Sequence, residues 1–209
     1  MSAALRVLTP RLALREFALA DADFIVELLN DPGWLKNIGD RGVRSAEDAR
    51  RYLRQGPIAA GARQGFALWA VLRRGDASGR PLGMCGLVRR DGLAHVDLGY
   101  AFLPAARGFG YAREAAAAVL ELGFAELGLP RIVAITAVDN TSSGRVLQAV
   151  GMRFEERMRV AGHAEDSLLY AASGARLASA ERHTPERPVV PRTSARKSAT
   201  SAAHPGLAD

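Results

Sequence analysis

Two segments of this 209-residue chain combine residue types that could hold an anion next to a reacting group. A predicted strand ends before the first segment, and a predicted helix follows it. The first turn of a helix presents unpaired main-chain N–H groups and partial positive charge, which suits a phosphate or pyrophosphate. Two glycines would let the backbone come close to the anion, and an arginine would add a full positive charge. We therefore predict a pyrophosphate site formed by Arg107, Gly108, Phe109, Gly110, Tyr111 and Ala112.

The second segment strengthens this interpretation, since a glycine pattern alone also fits a simple strand-to-helix turn. Asn140 follows another predicted strand and is a suitable N-cap, and the Ser143 hydroxyl lies in the first helical turn, free to face a cleft. Capping alone is the alternative role for both residues. If the two strands are neighbours, both helix starts lie on one edge of the sheet, where α/β proteins bind ligands.

Alternating strands and helices must position these segments. Strands are predicted over residues 5–17, 66–73, 81–89, 94–103, 131–138, 151–159 and 165–171, and helices over 21–30, 46–54, 110–127 and 141–150. Ser45 and Asp48 form a capping pattern at the second helix. Asp91 and Gly92 are a hairpin signal, so the second to fourth strands are expected to be antiparallel neighbours. The order predicts an α/β layer domain on a mixed sheet.

Composition limits the class of protein. Hydrophobic residues make up 48% of the chain and charged residues 24%, which fits a globular domain, and no apolar run is long enough to span a membrane. From residue 172 onward there is no Phe, Trp or Tyr, so we predict one domain over residues 1–171 and a disordered tail over 172–209. The absence of a secretory signal pattern and the single cysteine, Cys85, favour a cytoplasmic location.

Charge and potential metal ligands give weaker signals. The net charge is +6, and residues 171–209 contribute +3 of it through six basic and three acidic side chains. Because that charge is diffuse and no aromatic residues are interleaved, nucleic-acid binding is the less favoured interpretation of the tail. Cys85 lies in an apolar strand and is expected to be buried and inert. No metal is expected, because the four histidines lack metal-ligand spacing: His95, His163, His183 and His204.

The order and spacing of these segments resemble the GNAT N-acetyltransferases over about residues 5–170. Residues 107–112 resemble the Gln/Arg-x-x-Gly-x-Gly/Ala signature of that family. Asn140, Ser143, Leu147 and Gly151 resemble the next motif of its Rim-type branch, and residues 9–15 and 96–100 also look like that branch. The resemblance implies a mixed, mostly antiparallel sheet of six to seven strands, flanked by helices and splayed between its fourth and fifth strands.

The resemblance also implies roles for single residues, with acetyl-CoA as the cosubstrate. The pantetheine arm would pair with the backbone of Phe102 and Leu103, and main-chain N–H groups of residues 107–112 would hold the pyrophosphate. Asn140 would contact the pantetheine or help to shape the cleft, and Ser143 would sit near the sulfur, where it could protonate the departing thiolate. A main-chain N–H near Phe102 would meet the oxyanion.

Asp97 matches a position where the branch often has a Glu that acts as the base. The shorter Asp side chain would act through a water molecule, and a purely structural carboxylate is an equally good interpretation. Asp40, in the loop between the first two helices, is a further candidate for recognising a cationic amine.

The implied reaction is direct attack of a primary amine on the thioester, without an acyl-enzyme. The amine acceptor could be a protein N-terminus or a small molecule. No membrane partner is expected, and a monomer and a homodimer are both compatible with the sequence. Two alternatives stay open: an acyl-CoA-binding sensor that has lost turnover, and a nucleic-acid-associated protein that uses the basic tail.

Overall fold

The computed structural model describes residues 4–160 and 165–174. These residues form one eight-stranded sheet with the order β1-β2-β3-β4-β5-β6-β8-β7. Every neighbouring pair is antiparallel except β5 and β6, which run parallel. The predicted mixed, mostly antiparallel α/β class is confirmed. The strands are β1 (Leu5–Leu8), β2 (Leu12–Arg15), β3 (Leu68–Arg73), β4 (Gly83–Val88), β5 (Val96–Phe102), β6 (Arg131–Ala137), β7 (Arg153–Arg159) and β8 (Asp166–Ser173).

The sheet has eight strands rather than six to seven because the predicted opening strand is two strands. A tight turn at Thr9 and Pro10 folds β1 back on β2 as an antiparallel hairpin. The Thr9 N–H donates to the Leu12 carbonyl oxygen at 2.9 Å, and the Leu12 N–H donates to Thr9 Oγ1 at 2.9 Å. Pro10 has no N–H to contribute to a ladder, which favours a turn at this point.

Six α-helices flank the sheet within the described residues. They are α1 (Ala22–Leu29), α2 (Pro32–Asn37), α3 (Ala46–Leu53), α4 (Ala59–Gln64), α5 (Tyr111–Ala125) and α6 (Thr141–Ala149). The predicted cap of α3 is confirmed: the Asp48 N–H donates to Ser45 Oγ at 3.1 Å, and the Ser45 N–H donates to Asp48 Oδ2 at 3.0 Å.

The predicted bounds of the second helix, residues 46–54, agree with α3, but the helical segment that follows it was not predicted. A π-helical turn over Arg54–Ile58 joins α3 to α4, so the helical segment continues to Gln64. Gly56 and Pro57 usually end a helix, but the wider turn accommodates the missing N–H of the proline. This extension supplies one wall of the cleft described below.

Each face of the sheet packs against its own helices, because successive side chains of a strand point to opposite faces. Leu98 and Phe102 of β5 belong to the core cluster that contains Val119 of α5. Leu103, the next residue along, belongs to the cluster that contains Ile25 of α1. The helices α5 and α6 therefore cover one face, and α1 and α3 cover the other.

The strands β5 and β6 separate soon after they pair. Their register is limited to Val96 with Ile132 and Asp97 with Val133. On its other side, β5 stays paired with β4 as far as Phe102. The sheet thus opens into a V whose vertex is at Asp97, which is the splay expected from the resemblance. In the numbering of this structure it lies between the fifth and sixth strands.

The predicted tail over residues 172–209 falls almost entirely outside the described residues. The last strand, β8, continues through Ala172 and Ser173, the first two residues of that tail. The rest of the domain boundary and the tail's disorder stay predictions. Among the described helices, none is long and apolar enough to cross a lipid bilayer.

Candidate functional site

A cleft of about 770 Å³ occupies the splay between β5 and β6 and passes from one face of the sheet to the other. Its walls are the start of α5, the start of α6, and the helical segment from α3 to α4. Nine of the eleven predicted site residues line this cleft. They are Asp97, Phe102, Arg107, Gly108, Gly110, Tyr111, Ala112, Asn140 and Ser143.

The loop before α5 leaves a run of main-chain donors unpaired. None of the N–H groups from residue 108 to residue 113 donates to another described residue. Gly108 and Gly110 adopt φ values of 85° and 78°, in the left-handed region that residues with a Cβ rarely occupy. A Cβ at Gly108 would have open space around it, so the backbone here is exposed to the cleft. The backbone of this loop therefore has the unpaired donors that the sequence predicted, and anion binding by them stays a prediction.

Arg107 does not have the free positive charge that the sequence suggested. Its guanidinium forms an ion pair with Asp31, which is buried and also caps α2 by accepting from the Trp34 N–H. Arg107 Nε donates to the Phe102 carbonyl oxygen at 2.9 Å, and its N–H donates to Pro104 O at 3.1 Å. The side chain thus fixes the loop to α2 and to the end of β5.

The two predicted residues that do not line the cleft serve the surrounding structure. The Phe109 ring is 60% exposed and stacks on Tyr111, and its carbonyl oxygen accepts from Arg11 at 2.9 Å. The Leu103 N–H donates to Leu82 O at 3.0 Å. Its main-chain donor is thus used on the β4 side of β5.

The same bond at Leu103 indicates where Phe102 points. Successive N–H groups of a strand point to opposite sides. The Phe102 N–H is therefore directed toward β6, in the part of the sheet where β6 has separated. This donor is available in the cleft, as the resemblance implied for the oxyanion.

Ser143 is held by a capping residue on one side and a phenol on the other. The Asn140 side chain accepts from the Ser143 N–H at 3.1 Å and from Ser142 Oγ at 2.8 Å. The Ser143 hydroxyl lies 2.8 Å from the Tyr100 hydroxyl, which also donates to the Ser143 carbonyl oxygen at 3.1 Å. Burial raises the pKa of Tyr100 well above its usual range, so the phenol carries its proton.

Asp97 lies at the vertex of the splay with 1% of its surface exposed. Arg90 donates to its Oδ2 from Nε at 3.0 Å and from Nη2 at 2.8 Å, and the Ile135 N–H donates to its Oδ1 at 3.3 Å. The carboxylate therefore accepts from a main-chain N–H of β6 just beyond the last paired residues. Burial raises the pKa of Asp97 to about 6, against the lowering effect of the Arg90 charge. Such a group is ionised at neutral pH and can still accept a proton.

Comparison with known proteins identifies the family. Residues 11–153 match the family described as Acetyltransferase (GNAT) domain. This chain belongs to the GNAT acetyltransferase family. The uncharacterised N-acetyltransferase YnaD of Bacillus subtilis is 32% identical over 151 residues, which are 72% of this chain and 84% of YnaD. An acetyltransferase of Bacillus anthracis has 28% identity and a TM-score of 0.67, covering 82% of this chain and 99% of that one.

The chain is accordingly an acetyl-CoA-dependent acyltransferase. The solved structure of RimL, a ribosomal L7/L12 alpha-N-protein acetyltransferase, shares the fold, with a TM-score of 0.68 over 83% of this chain and 96% of that one. At 18% identity, that likeness shows the fold alone. All eleven predicted site residues lie within the range that matches the family.

Among the other residues that line the cleft of this GNAT acetyltransferase, two polar side chains are notable: Tyr100 and Thr136. The Tyr100 hydroxyl contacts that of Ser143. Thr136 of β6 is 6% exposed, and its Oγ1 is the one buried side-chain polar atom without a hydrogen-bond partner among the described residues. No sequence motif marks either of them. An unpartnered hydroxyl is costly unless something in the cleft bonds to it.

Asp40 is not placed to recognise an amine in this GNAT domain. It is exposed and forms an ion pair with Arg44 at 2.6 Å, while also accepting from the Gly42 N–H at 2.8 Å. Its neighbour Arg41 lines the cleft instead. Cys85 is fully buried, and burial raises the pKa of its thiol far above neutral, as expected for an inert residue.

Proposed function

We propose that this acetyltransferase transfers the acetyl group of acetyl-CoA directly to a primary amine. One observation supports the proposal above the others. The loop over residues 108–113 leaves its N–H groups unpaired, and all of its residues except Phe109 line the same cleft as Asp97. The site therefore combines donors for an anionic cosubstrate with a proton acceptor for an amine.

The cosubstrate fits the side of the cleft formed by α5 and α6. The pyrophosphate would accept from the N–H groups that Gly108 to Ala112 leave unpaired at the start of α5. The pantetheine arm would lie along the β5 edge at Phe102, where β6 no longer pairs. Asn140 uses its oxygen for capping, which leaves its amide N–H₂ for the arm.

The amine would approach from the opposite face. Side chains alternate along a strand, so Asp97 lies on the same face of β5 as Leu103, and Tyr100 lies on the same face as Phe102. Asp97 and Tyr100 therefore point to opposite faces of the sheet. An ammonium has no lone pair, and so it must lose a proton before it can attack. Asp97 would accept that proton through a water molecule, because Arg90 and Ile135 already occupy its oxygens.

The transfer itself forms an N–C bond and breaks the thioester C–S bond. The Phe102 N–H would stabilise the oxyanion that develops on the carbonyl. Ser143, whose hydroxyl contacts Tyr100, would give its proton to the departing thiolate and regain one from Tyr100 or water. Because Cys85 is buried away from the cleft, no acyl-enzyme is invoked.

The acceptor class is the finer part of the proposal. A protein N-terminus and a small-molecule amine both fit a cleft that is open on the α1 and α3 face. We also propose a cytoplasmic location and membership of the Rim-type branch, as the sequence analysis predicts. The oligomeric state is left open, as either a monomer or a homodimer.

A thermal-shift titration tests the cosubstrate half of the proposal. Acetyl-CoA and CoA should raise the melting temperature, whereas NAD and ATP should not, because only ligands of the native state stabilise it. Gly110→Trp should abolish the shift, since its side chain would fill the pyrophosphate site. Gly75→Trp is a matched control, because Gly75 has a similar φ of 76° in a turn away from the cleft. No shift with either CoA species would contradict the proposal.

Thiol release in the presence of a panel of amines tests the transfer half. Amine-dependent release of CoA that Gly110→Trp abolishes would support acetylation. Binding of acetyl-CoA without release on any amine would instead make the chain an acyl-CoA-binding sensor.

A further inference from the structure

The cleft has an excess of positive charge. One carboxylate, Asp97, lines it within the described residues. Against it stand six arginines: Arg41, Arg63, Arg89, Arg90, Arg107 and Arg113. A cluster of guanidinium groups around a site raises the local concentration of anions and disfavours cations.

Three of these arginines already have a function in the structure or the proposed reaction. Arg107 is paired with Asp31, and Arg90 with Asp97. Arg113 lies in the first turn of α5, beside the unpaired N–H groups assigned to the pyrophosphate. Of the six guanidinium groups, only that of Arg113 is both unpaired and assigned to the cosubstrate.

The other three have no partner in the part of the chain that the structure describes. Arg41, Arg63 and Arg89 form no ion pair or hydrogen bond with any described residue, and each is exposed at the edge of the cleft. Arg41 follows α2, and Arg63 belongs to α4. Arg41 thus precedes α3 and Arg63 follows it, and α3 covers the face assigned to the acceptor.

Tyr52 is a further polar side chain in the same cleft as the three arginines and Asp97. The Tyr52 side chain of α3 lines the cleft, and its hydroxyl has no hydrogen-bond partner among the described residues. Burial raises the pKa of Tyr52, while the nearby charges of Arg41 and Arg90 act in the opposite direction. Arg41, Tyr52, Arg90 and Asp97 all line the same cleft, and Arg90 is paired with Asp97.

We propose that the acceptor is an amine that also carries an anionic group, a carboxylate or a phosphate, which Arg41 and Tyr52 bind. The inference rests on the proposed transfer to an amine and specifies which amines are used. Arg63 and Arg89 strengthen the positive potential at the entrance. A guanidinium and a phenol together offer donors that match carboxylate or phosphate oxygens.

The charge pattern also disfavours the alternative acceptors. A polyamine would place a second ammonium among unpaired arginines, and Asp40, the carboxylate in the adjoining loop, is already paired with Arg44. A positive environment also lowers the pKa of an ammonium, which helps the amine to reach its neutral, nucleophilic form.

Matched pairs of amines test the inference at saturating acetyl-CoA. Glycine is compared with glycinamide, and phosphoethanolamine with ethanolamine, so that the two pairs separate a carboxylate from a phosphate. Cadaverine serves as the dicationic probe. We expect at least a tenfold higher kcat/KM for the anionic member of one pair, expressed mainly in the acceptor KM.

Arginine variants identify the subsite. Arg41→Gln should remove most of that preference while the KM for acetyl-CoA is unchanged. Arg73→Gln is the matched control, since this exposed arginine at the end of β3 does not line the cleft. Equal or better use of the neutral and dicationic amines would overturn the inference, as would a preference that survives Arg41→Gln.

Calorimetry distinguishes failure of the anion subsite from failure of the proposed acetyl transfer. If acetyl-CoA stabilises the protein but no amine of the panel is acetylated, the anionic amines are titrated into the CoA complex. Saturable binding that Arg41→Gln removes supports the anion subsite, and absence of binding overturns it. Failure of CoA itself to bind would instead contradict the proposed function.

Discussion

The Tyr100 hydroxyl lies 2.8 Å from Ser143 Oγ and links β5 to the start of α6 across the gap where β6 has separated. Such a pair can pass a proton toward a leaving group without leaving a buried hydroxyl unpaired. The contact also fixes the position of α6, and with it Asn140, relative to the β5 edge. Tyr100 therefore positions Ser143 in addition to lining the cleft.

Removing either hydroxyl should slow the transfer step modestly. Ser143→Ala and Tyr100→Phe are each expected to lower kcat about tenfold, because a thiolate leaves readily with little acid assistance. The KM for acetyl-CoA should change little. Steady-state kinetics of both single variants and of the double variant measure the effect. Additive losses in the double variant would show that the two hydroxyls do not act as one unit.

Asp97 should control activity on the acid side. With a pKa of about 6, its carboxylate is ionised at neutral pH and becomes protonated below that value. We expect kcat/KM to fall below about pH 6, and Asp97→Asn to lose about a hundredfold in activity together with this dependence. The pH profiles of the two proteins provide the measurement. An Asn variant with near-normal activity would leave Asp97 a structural residue that supports the splay.

The pH dependence of stability tests the raised pKa of Asp97 independently of activity. The pKa of Asp97 is higher in the folded protein than in the unfolded chain, where it is about 3.9. Its protonated form therefore stabilises the fold. That contribution is complete below about pH 4 and is lost as the pH rises through about 6. Chemical denaturation should show wild-type stability falling over this range relative to Asp97→Asn.

Thr136→Val should change stability and affinity in opposite directions. The substitution removes an unpartnered buried hydroxyl and nearly preserves volume, so the free protein should gain about 1 kcal/mol. If the cosubstrate bonds to that hydroxyl, the affinity for acetyl-CoA should fall several-fold. Denaturation of the free protein and calorimetry with acetyl-CoA measure the two effects. An unchanged affinity would mean that Thr136 does not contact the cosubstrate.

Two nearby arginines should respond differently to the same substitution. Arg107→Gln leaves the buried Asp31 carboxylate without its ion partner and should cost about 1 to 3 kcal/mol of stability. Arg113→Gln should hardly affect stability, because no described residue pairs with Arg113. It should instead weaken acetyl-CoA binding about tenfold and reduce its salt dependence. If Arg107→Gln instead weakened acetyl-CoA binding and Arg113→Gln lowered stability, Arg107 would be the cation that binds the phosphate.

Local patterns in the sequence predict much of this fold. The Asp91-Gly92 hairpin, the Ser45 cap and the helix start after Gly110 depend on residues close together in the chain. The break at Thr9 and Pro10 and the continuation past Gly56 were missed, because tertiary packing decided whether those signals ended an element.

Some features of the candidate site can likewise be predicted from nearby residues in the chain, and others cannot. The backbone donors of residues 108–112 follow from glycines and a helix start, both of which are visible in the sequence. The partners of Arg107 and Tyr100 lie 76 and 43 positions away, so their contacts depend on the assembled sheet. The same is true of the charge excess in the cleft, which draws on residues from 41 to 113.

If acetyl-CoA binds in the splay held at Asp97, the stability of the folded protein would depend on its cosubstrate. A sheet that ends its pairing early, with free donors and an unpartnered Thr136 hydroxyl, forgoes bonds that a bound molecule can restore. A ligand present at a hundred times its dissociation constant adds about 2.7 kcal/mol to the stability of the native state. In a cell short of acetyl-CoA, more copies would unfold transiently and meet proteases. Such copies would be degraded faster than copies with the cosubstrate bound.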